Sequence, residues 1–212
     1  MRFKQLVTEV GALLSERRVL HGEAVRKVYD CDAYTLHRYP PLVLALPEST
    51  EEVQRIVAWC VHNGVPFTPR GAGTGLSGGA MPAAGGVVIS LSRMRRVLEV
   101  DALNRAMLAQ AGCPNLHLSR QVAADRLHFA PDPSSQTVCT LGGNIAENSG
   151  GPHTLKYGVT TDHVLGVTMV DDSGRVRRLG GRIAETPGFD LLGVVVGSEG
   201  TLGIVTEAWV RL

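Results

Sequence analysis

The chain has 212 residues, 44% of them apolar, and carries 21 Lys/Arg against 20 Asp/Glu for a formal net charge of +1. That length and apolar content suffice for one large domain or two small lobes around a buried core. The balanced charge offers no basic field for sequence-independent nucleic-acid binding, and the arginine trios at Arg93, Arg95, Arg96 and Arg175, Arg177, Arg178 read as solvated faces, so nucleic acid is excluded as the main partner.

In chain order, Phe3, Leu6, Val7, Val10, Leu13 and Leu14 recur at helical spacing and predict an amphipathic first helix. A polar stretch from Tyr29 to Arg38 follows, Pro40-Pro41 punctuates the chain, and Leu42 to Leu46 reads as a short buried strand. Ser49 and Glu52 form a capping box before a helical face of Val53, Ile56, Val57 and Cys60, which stops at Asn63-Gly64. Val65 to Thr68 is the next strand, and after a glycine-rich loop Val87 to Leu91 is another. Further on, Val97 to Val100 and Ala106 to Ala111 predict paired strands. Leu116 to Arg126 predicts a helix closed off by Pro131-Asp132-Pro133. Val164 to Val170 and Val176 to Leu179 flank the hairpin signal Asp171-Asp172-Ser173-Gly174. The expected fold class is α+β: a helix and extended lead-in over 1–39, a small α/β lobe over 40–95, and a larger, mainly antiparallel α+β lobe over 96–212. There is no internal repeat or low-complexity tract.

The loop from Pro69 to Ala80 reads PRGAGTGLSGGA. Glycines in such density let backbone N–H groups crowd around a phosphate that side chains would block. Gly73, Gly75 and Gly78 match the G-x-G-x-x-G spacing of a nicotinamide-dinucleotide site, which requires the last glycine to open a helix. Here Gly79, Pro82, Gly85 and Gly86 forbid that helix and a β-branched run follows, so the spacing misleads, and Glu99 loses its appeal as a ribose-binding acid. No Gly-Lys-Ser/Thr is present, which excludes a Walker loop. Three further clusters of small residues lie downstream: Thr140 to Asn144, Asn148 to Gly151, and Gly197 to Val205. Any one alone is a tight turn; together with the first loop they form a sheath suited to a long, phosphate-bearing cofactor.

Cys31, Cys60, Cys113 and Cys139 are widely spaced, with no CxxC pair and no histidines at zinc-finger distances, and read as intracellular free thiols. The N-terminus lacks a signal-peptide core and no apolar run reaches membrane-span length. A cytoplasmic protein, able to dock on a membrane complex through partners, is the expectation.

The segments PRGAGTGLSGGA, PDPSSQTVCTLGGNIAENSGG, HTLKYGVT and PGFDLLGVVVGSEGTLGIVTE, in this order, resemble the FAD-binding (PCMH-type) domain of the vanillyl-alcohol oxidase and p-cresol methylhydroxylase superfamily. Within it the resemblance is to the glycolate oxidase D-subunit and FAD-linked D-2-hydroxyacid (D-lactate) dehydrogenase branch, from about Pro41 to the last residue. It implies FAD extended between two lobes. Pro69, Arg70, Gly71, Ala72, Gly73, Thr74, Gly75, Leu76 and Gly79 would surround the pyrophosphate. Pro131, Asp132, Thr140, Gly142, Gly143, Asn144, Asn148, Ser149 and Gly150 would line the flavin and ribityl side, and Glu199, Gly200, Gly203 and Ile204 would complete the pocket.

Members that attach flavin covalently often use a histidine in the first loop; none lies between Pro69 and Ala80, so noncovalent FAD is expected. His153 matches a histidine of glycolate-oxidase-like sequences, but it, Lys156 and Tyr157 are read equally well as surface residues. The family's second domain, which covers the flavin and supplies metal ligands and base, has no counterpart in this chain, so no catalytic residue or metal site is assigned. The implied reaction is oxidation of a 2-hydroxy acid, glycolate first and D-lactate next, to the 2-oxo acid by hydride transfer to flavin. Electrons would leave through an iron–sulfur subunit, with a second flavin-type subunit as a further partner. Two alternatives stand beside it: an FAD-binding module without turnover, in keeping with a chain expected to be inactive alone, and an FAD domain serving a carbohydrate or sugar-nucleotide reaction.

Overall fold

A computed structural model of the chain describes residues 3–183 and 188–212. The first helix, α1 (Phe3–Leu13), buries Leu6 and Val10 as its spacing predicts. Then come a two-residue strand β1 (Val19–Leu20), a short helix α2 (Glu23–Val28), β2 (Val43–Ala45), α3 (Thr50–Asn63), β3 (Phe67–Arg70) and β4 (Val87–Ser90). These strands form one sheet in the order β1-β2-β4-β3, with β4 parallel to both β2 and β3, and β1 antiparallel to β2. The lead-in is therefore part of the first lobe: β1 extends its sheet and α1 packs on α3.

Helix α3 begins and ends on local chemistry. Ser49 is extended and its Oγ accepts the Glu52 N–H at 3.3 Å, while Gly64 adopts φ 62° to return its N–H to the last turn. The capping box is displaced from its expected form, because the Glu52 carboxylate accepts the Glu48 N–H at 2.8 Å instead of that of Ser49. That same carboxylate takes both Nη atoms of Arg18, at 2.5 and 2.7 Å, and so ties the lead-in to the start of α3.

The second lobe contains β5 (Val97–Asp101), β6 (Ala106–Gln110), α4 (Asn115–Gln121), α5 (Leu141–Glu147), α6 (Thr154–Tyr157), β7 (Val164–Asp171), β8 (Val176–Gly180), α7 (Leu191–Val195) and β9 (Gly203–Arg211). Its sheet is wholly antiparallel in the order β5-β6-β9-β7-β8. The hairpin expected at Asp171–Gly174 joins β7 to β8. Two readings shift. The strand expected at Val65 to Thr68 runs two residues later, and the helix expected over Leu116 to Arg126 ends at Gln121, with a 3-10 turn and a left-handed Arg126 (φ 58°) after it.

Among the described residues a smaller cluster of Leu44, Leu46 and Val88 and two large cores hold the lobes. One lies between the second sheet and helices α4 and α5, through Met107, Leu118, Leu141, Ile145 and Val210. The other crosses the lobe boundary: Leu6, Val53, Ile56 and Ile89 of the first lobe pack with Ala111, Val170 and Ile204 of the second. A buried hydrogen bond from Thr50 to Thr206, at 2.8 Å, also spans the junction.

Candidate functional site

Strands β3 and β4 are parallel neighbours, yet the chain between them forms no helix; it is the glycine loop that leaves Arg70 and returns at Val87. This connection removes the helix a Rossmann site needs. The loop forms one wall of a cavity of about 300 Å³ at the junction of the lobes. A second wall comes from Thr140 through Ser149, on and beside α5, and a third from Ser198 through Val205 at the entry to β9.

Of the residues singled out in the sequence, the cavity wall includes the whole set from the first loop, together with Thr140, Gly142, Gly143, Asn144, Ser149, Glu199, Gly200, Gly203 and Ile204. Pro131, Asp132, Asn148 and Gly150 stand behind it. The Pro131 carbonyl accepts from Asn115 Nδ2 at 2.9 Å, and Asn115 Oδ1 accepts from Asn144 Nδ2 at 2.7 Å, so the Pro-Asp-Pro turn is fastened to α5 through two buried amides. Asn148 caps α5 in the left-handed region (φ 48°), its Oδ1 accepting the Thr161 N–H at 2.9 Å. Gly150 lets Thr154 approach its backbone. Asp132 holds His153, with Nδ1 and Oδ2 2.5 Å apart, and the imidazole remains largely solvent-exposed. Lys156 and Tyr157 engage each other through a 2.9 Å Nζ–Oη contact, and neither lines the cavity.

The loop's backbone is the feature that points to a ligand. Among the described residues, no N–H from Gly71 through Gly79 donates to another protein group. Gly71 to Gly75 are partly buried and line the cavity, whereas Leu76, Ser77 and Gly79 are exposed. Backbone donors in partly buried places are normally paired, so the stretch from Gly71 to Gly75 carries unpaired donors at the cavity wall. Arg70 lies beneath them, 8% exposed, its guanidinium donating to the Cys31 carbonyl at 2.8 Å and the Ala80 carbonyl at 3.2 Å. Burial lowers its pKa, and the nearby Asp32 carboxylate opposes that loss. Arg70 is the single cation on the described wall, against the carboxylates of Asp32, Glu147 and Glu199. An anion here is therefore held by backbone amides, with one buried charge behind them.

Glu147, Asp32, Ser135, Cys139 and Ser198 line the cavity without having been singled out as site residues. Ser135 and Cys139 sit inside the PDPSSQTVCT segment, so the motif contained a signal for them. Glu147 lies in the same motif, between Asn144 and Asn148, and its place on the wall follows from the turn of α5. Burial raises its pKa most, then Glu199 and Asp32, with a Ser77 hydrogen bond opposing. Glu199 itself has φ 54°, rare for a residue with a Cβ, and is held there as its N–H donates to the Ala146 carbonyl at 2.8 Å.

A family model described as an FAD binding domain matches residues 41–180. The chain belongs to this FAD-binding family. Its sequence is 43% identical over 194 residues to the glycolate oxidase subunit GlcD of Escherichia coli K12, covering 92% of this chain and 39% of that protein. It is 45% identical over 192 residues to GlcD of Bacillus subtilis, covering 90% and 41%. A D-lactate dehydrogenase of Anaerostipes hadrus is 38% identical over 201 residues, covering 94% and 42%. The FAD-binding domain thus spans about two fifths of the length of these relatives. A solved alkyldihydroxyacetonephosphate synthase superposes with a TM-score of 0.88 at 27% identity, covering all of this chain and 40% of the other. The fold is the two-lobed PCMH-type FAD-binding fold, and the cofactor of this FAD-binding domain is FAD.

The site suits that group. Free amides answer a pyrophosphate, and at Gly75 an added Cβ would project into space whose nearest protein atom is Glu147 Oε1 at 3.8 Å, a cradle that glycine leaves open. No described helix is long and apolar enough to cross a membrane.

Proposed function

We propose that this domain binds FAD noncovalently, with Gly71 to Gly79 around the pyrophosphate and the α5 wall beside the flavin, as part of an oxidoreductase acting on 2-hydroxy acids. The observation that carries the reading is the unpaired run of loop amides on the junction cavity. Glycolate is the leading substrate and D-lactate the next, on the strength of the relatives' names. Bound FAD supplies the two-electron acceptor for converting the hydroxy acid to the oxo acid. This chain's own residues bind and orient it: the loop amides take the phosphates, Arg70 sets a positive charge behind them, and Gly142, Gly143 and Ser149 form the facing wall. Two of these relatives are named as subunits, which supports further partner subunits; in this reading one is an iron–sulfur subunit that takes the electrons and another is a second flavin-type subunit. We place the assembly in the cytoplasm, peripheral to the inner membrane through those partners.

Three measurements test this. Purified protein should carry or take up FAD with a flavin absorption band, and a protein that stays colourless after FAD is added overturns the reading. Acid precipitation should release all flavin into the supernatant; flavin retained on the pellet would contradict noncovalent binding. Under anaerobic conditions glycolate should bleach the flavin of the full protein with its partner subunits. Bleaching by neither glycolate nor D-lactate would reduce the assignment to FAD binding alone.

A further inference from the structure

The glycine loop is contacted by a segment that lies upstream of the matched family region, and which the sequence presents only as a polar lead-in. The chain from Asp30 to Tyr39 closes on itself: the Tyr39 N–H donates to the Asp30 carbonyl at 2.8 Å, and Arg38 pairs with the Asp30 carboxylate at 2.9 Å. Residues within this closed turn cross the glycine loop at three places. The Ala33 N–H donates to the Gly73 carbonyl at 3.1 Å. Asp32 Oδ2 accepts the Ala80 N–H at 3.2 Å while its Oδ1 accepts the Tyr34 N–H at 2.9 Å. The Cys31 carbonyl takes Arg70 Nη1, which also reaches the Ala80 carbonyl. Asp32 and Arg70 are 6% and 8% exposed, so two opposite charges are buried where the strap meets the loop.

The consequence follows from peptide geometry. In a planar trans peptide the C=O and N–H point in opposite directions. With the Gly73 carbonyl turned to Ala33, the Thr74 N–H is turned away from the strap. Gly73 has φ 72° and lies directly over the Arg70 guanidinium, where a Cβ would collide, so the loop cannot relax toward the strap and still keep that cation. Ala80, bonded at both N–H and C=O, fixes the far end. The loop is thus tied by the Gly73 carbonyl and its last residue, and the N–H groups from Gly71 to Gly79 have no protein acceptor among the described residues.

We infer that the segment Cys31–Tyr34 is a positioning strap for the phosphate-binding loop, with Asp32 as its positioning residue. Asp32 holds the Ala80 end of the loop and balances the buried Arg70, and so sets FAD affinity through the loop. This rests on the proposed FAD pyrophosphate site. The test compares two ligands on the full chain as apoprotein: FAD, and riboflavin, which has no phosphates. Asp32→Asn is expected to raise the Kd for FAD at least about tenfold while changing that for riboflavin less than about twofold, with the far-UV circular dichroism of the wild type. Ala33→Pro, at an exposed position, removes the donor to Gly73 and is expected to act in the same direction; it also keeps the test decisive if Asp32→Asn fails to fold. An unchanged FAD affinity in the folded variants, or equal weakening for both ligands, overturns the strap's role. A wild-type protein that binds no FAD would instead overturn the pyrophosphate site itself.

Discussion

The two main walls of the cavity are both rich in glycine, and the glycines do different work in each. In the loop wall, Gly75 leaves space open and the backbone carries free donors. In the α5 wall, Gly142 lies against β6's exit: its N–H donates to the Ala111 carbonyl at 2.7 Å, and an added Cβ would stand 2.8 Å from the Ala111 Cβ. Gly75 leaves room for the ligand and Gly142 serves the packing of the protein, while Gly71 and Gly73 of the loop wall also pack closely, against Thr140 and Arg70. A cluster of small residues in a sequence therefore reports a close approach without saying what approaches.

Substitutions that place a side chain in each wall would break or sharpen this contrast. The largest effect is expected from Gly142→Val, which forces a β-branched side chain into the buried Ala111 contact. Overpacking of this kind costs about 3 kcal/mol, and thermal denaturation should show Tm lower by roughly 10 °C for a chain of this size. Gly75→Ala should be its mirror image, with stability within about 0.5 kcal/mol of wild type and FAD affinity, read by flavin fluorescence titration, weaker by about tenfold. Equal stability losses from the two would erase the distinction between the walls.

The smallest effect concerns charge. Glu147 on the α5 side faces the loop, its Oε1 3.8 and 3.2 Å from where a Cβ would stand at Gly75 and Gly79, and it shares the cavity wall with Glu199, Asp32 and the buried Arg70. Its pKa is raised by burial and by its carboxylate neighbours, so its ionised form is disfavoured in the fold. The resulting penalty sets in as pH rises through the unfolded carboxylate range and is absent below it. A bound pyrophosphate disfavours the carboxylate further, so FAD should bind more tightly as pH falls, with a proton taken up. Glu147→Gln should tighten FAD by about threefold near neutral pH and flatten that pH dependence, as isothermal titration across pH would reveal.

The first lobe was largely legible because its signals are local. Ser49, Gly64 and the apolar face of α3 are read within one helix, and the β-branched run at Val87 was enough to remove the Rossmann reading. Helix α5 was not legible, since Gly142 and Gly143 each lower helix propensity by about 1 kcal/mol. What overrides them is the Thr140 cap, whose Oγ1 accepts the Gly143 N–H at 3.3 Å, together with burial of Leu141 and Ile145. Strand β9 was read only as a glycine cluster at its start. Its centrality depends on pairing with β6 and β7, which are distant in sequence, although the alternation of Ile204, Thr206, Ala208 and Val210 toward the core was present to be seen. Asp32 was lost in a polar stretch for the same reason, because its partner Ala80 lies far along the chain.

The core that crosses the lobe boundary bears on how a flavin enters. Swinging the lobes apart would pull Val170 and Ile204 from their packing against α3 and break the Thr50–Thr206 bond, a transition close to global unfolding. The cleft is thus a fixed socket and not a jaw. The parts able to give way locally are the glycine loop and the turn that fastens it, so the same few hydrogen bonds that shape the phosphate cradle also form its latch, and loading should be limited by how often that latch opens.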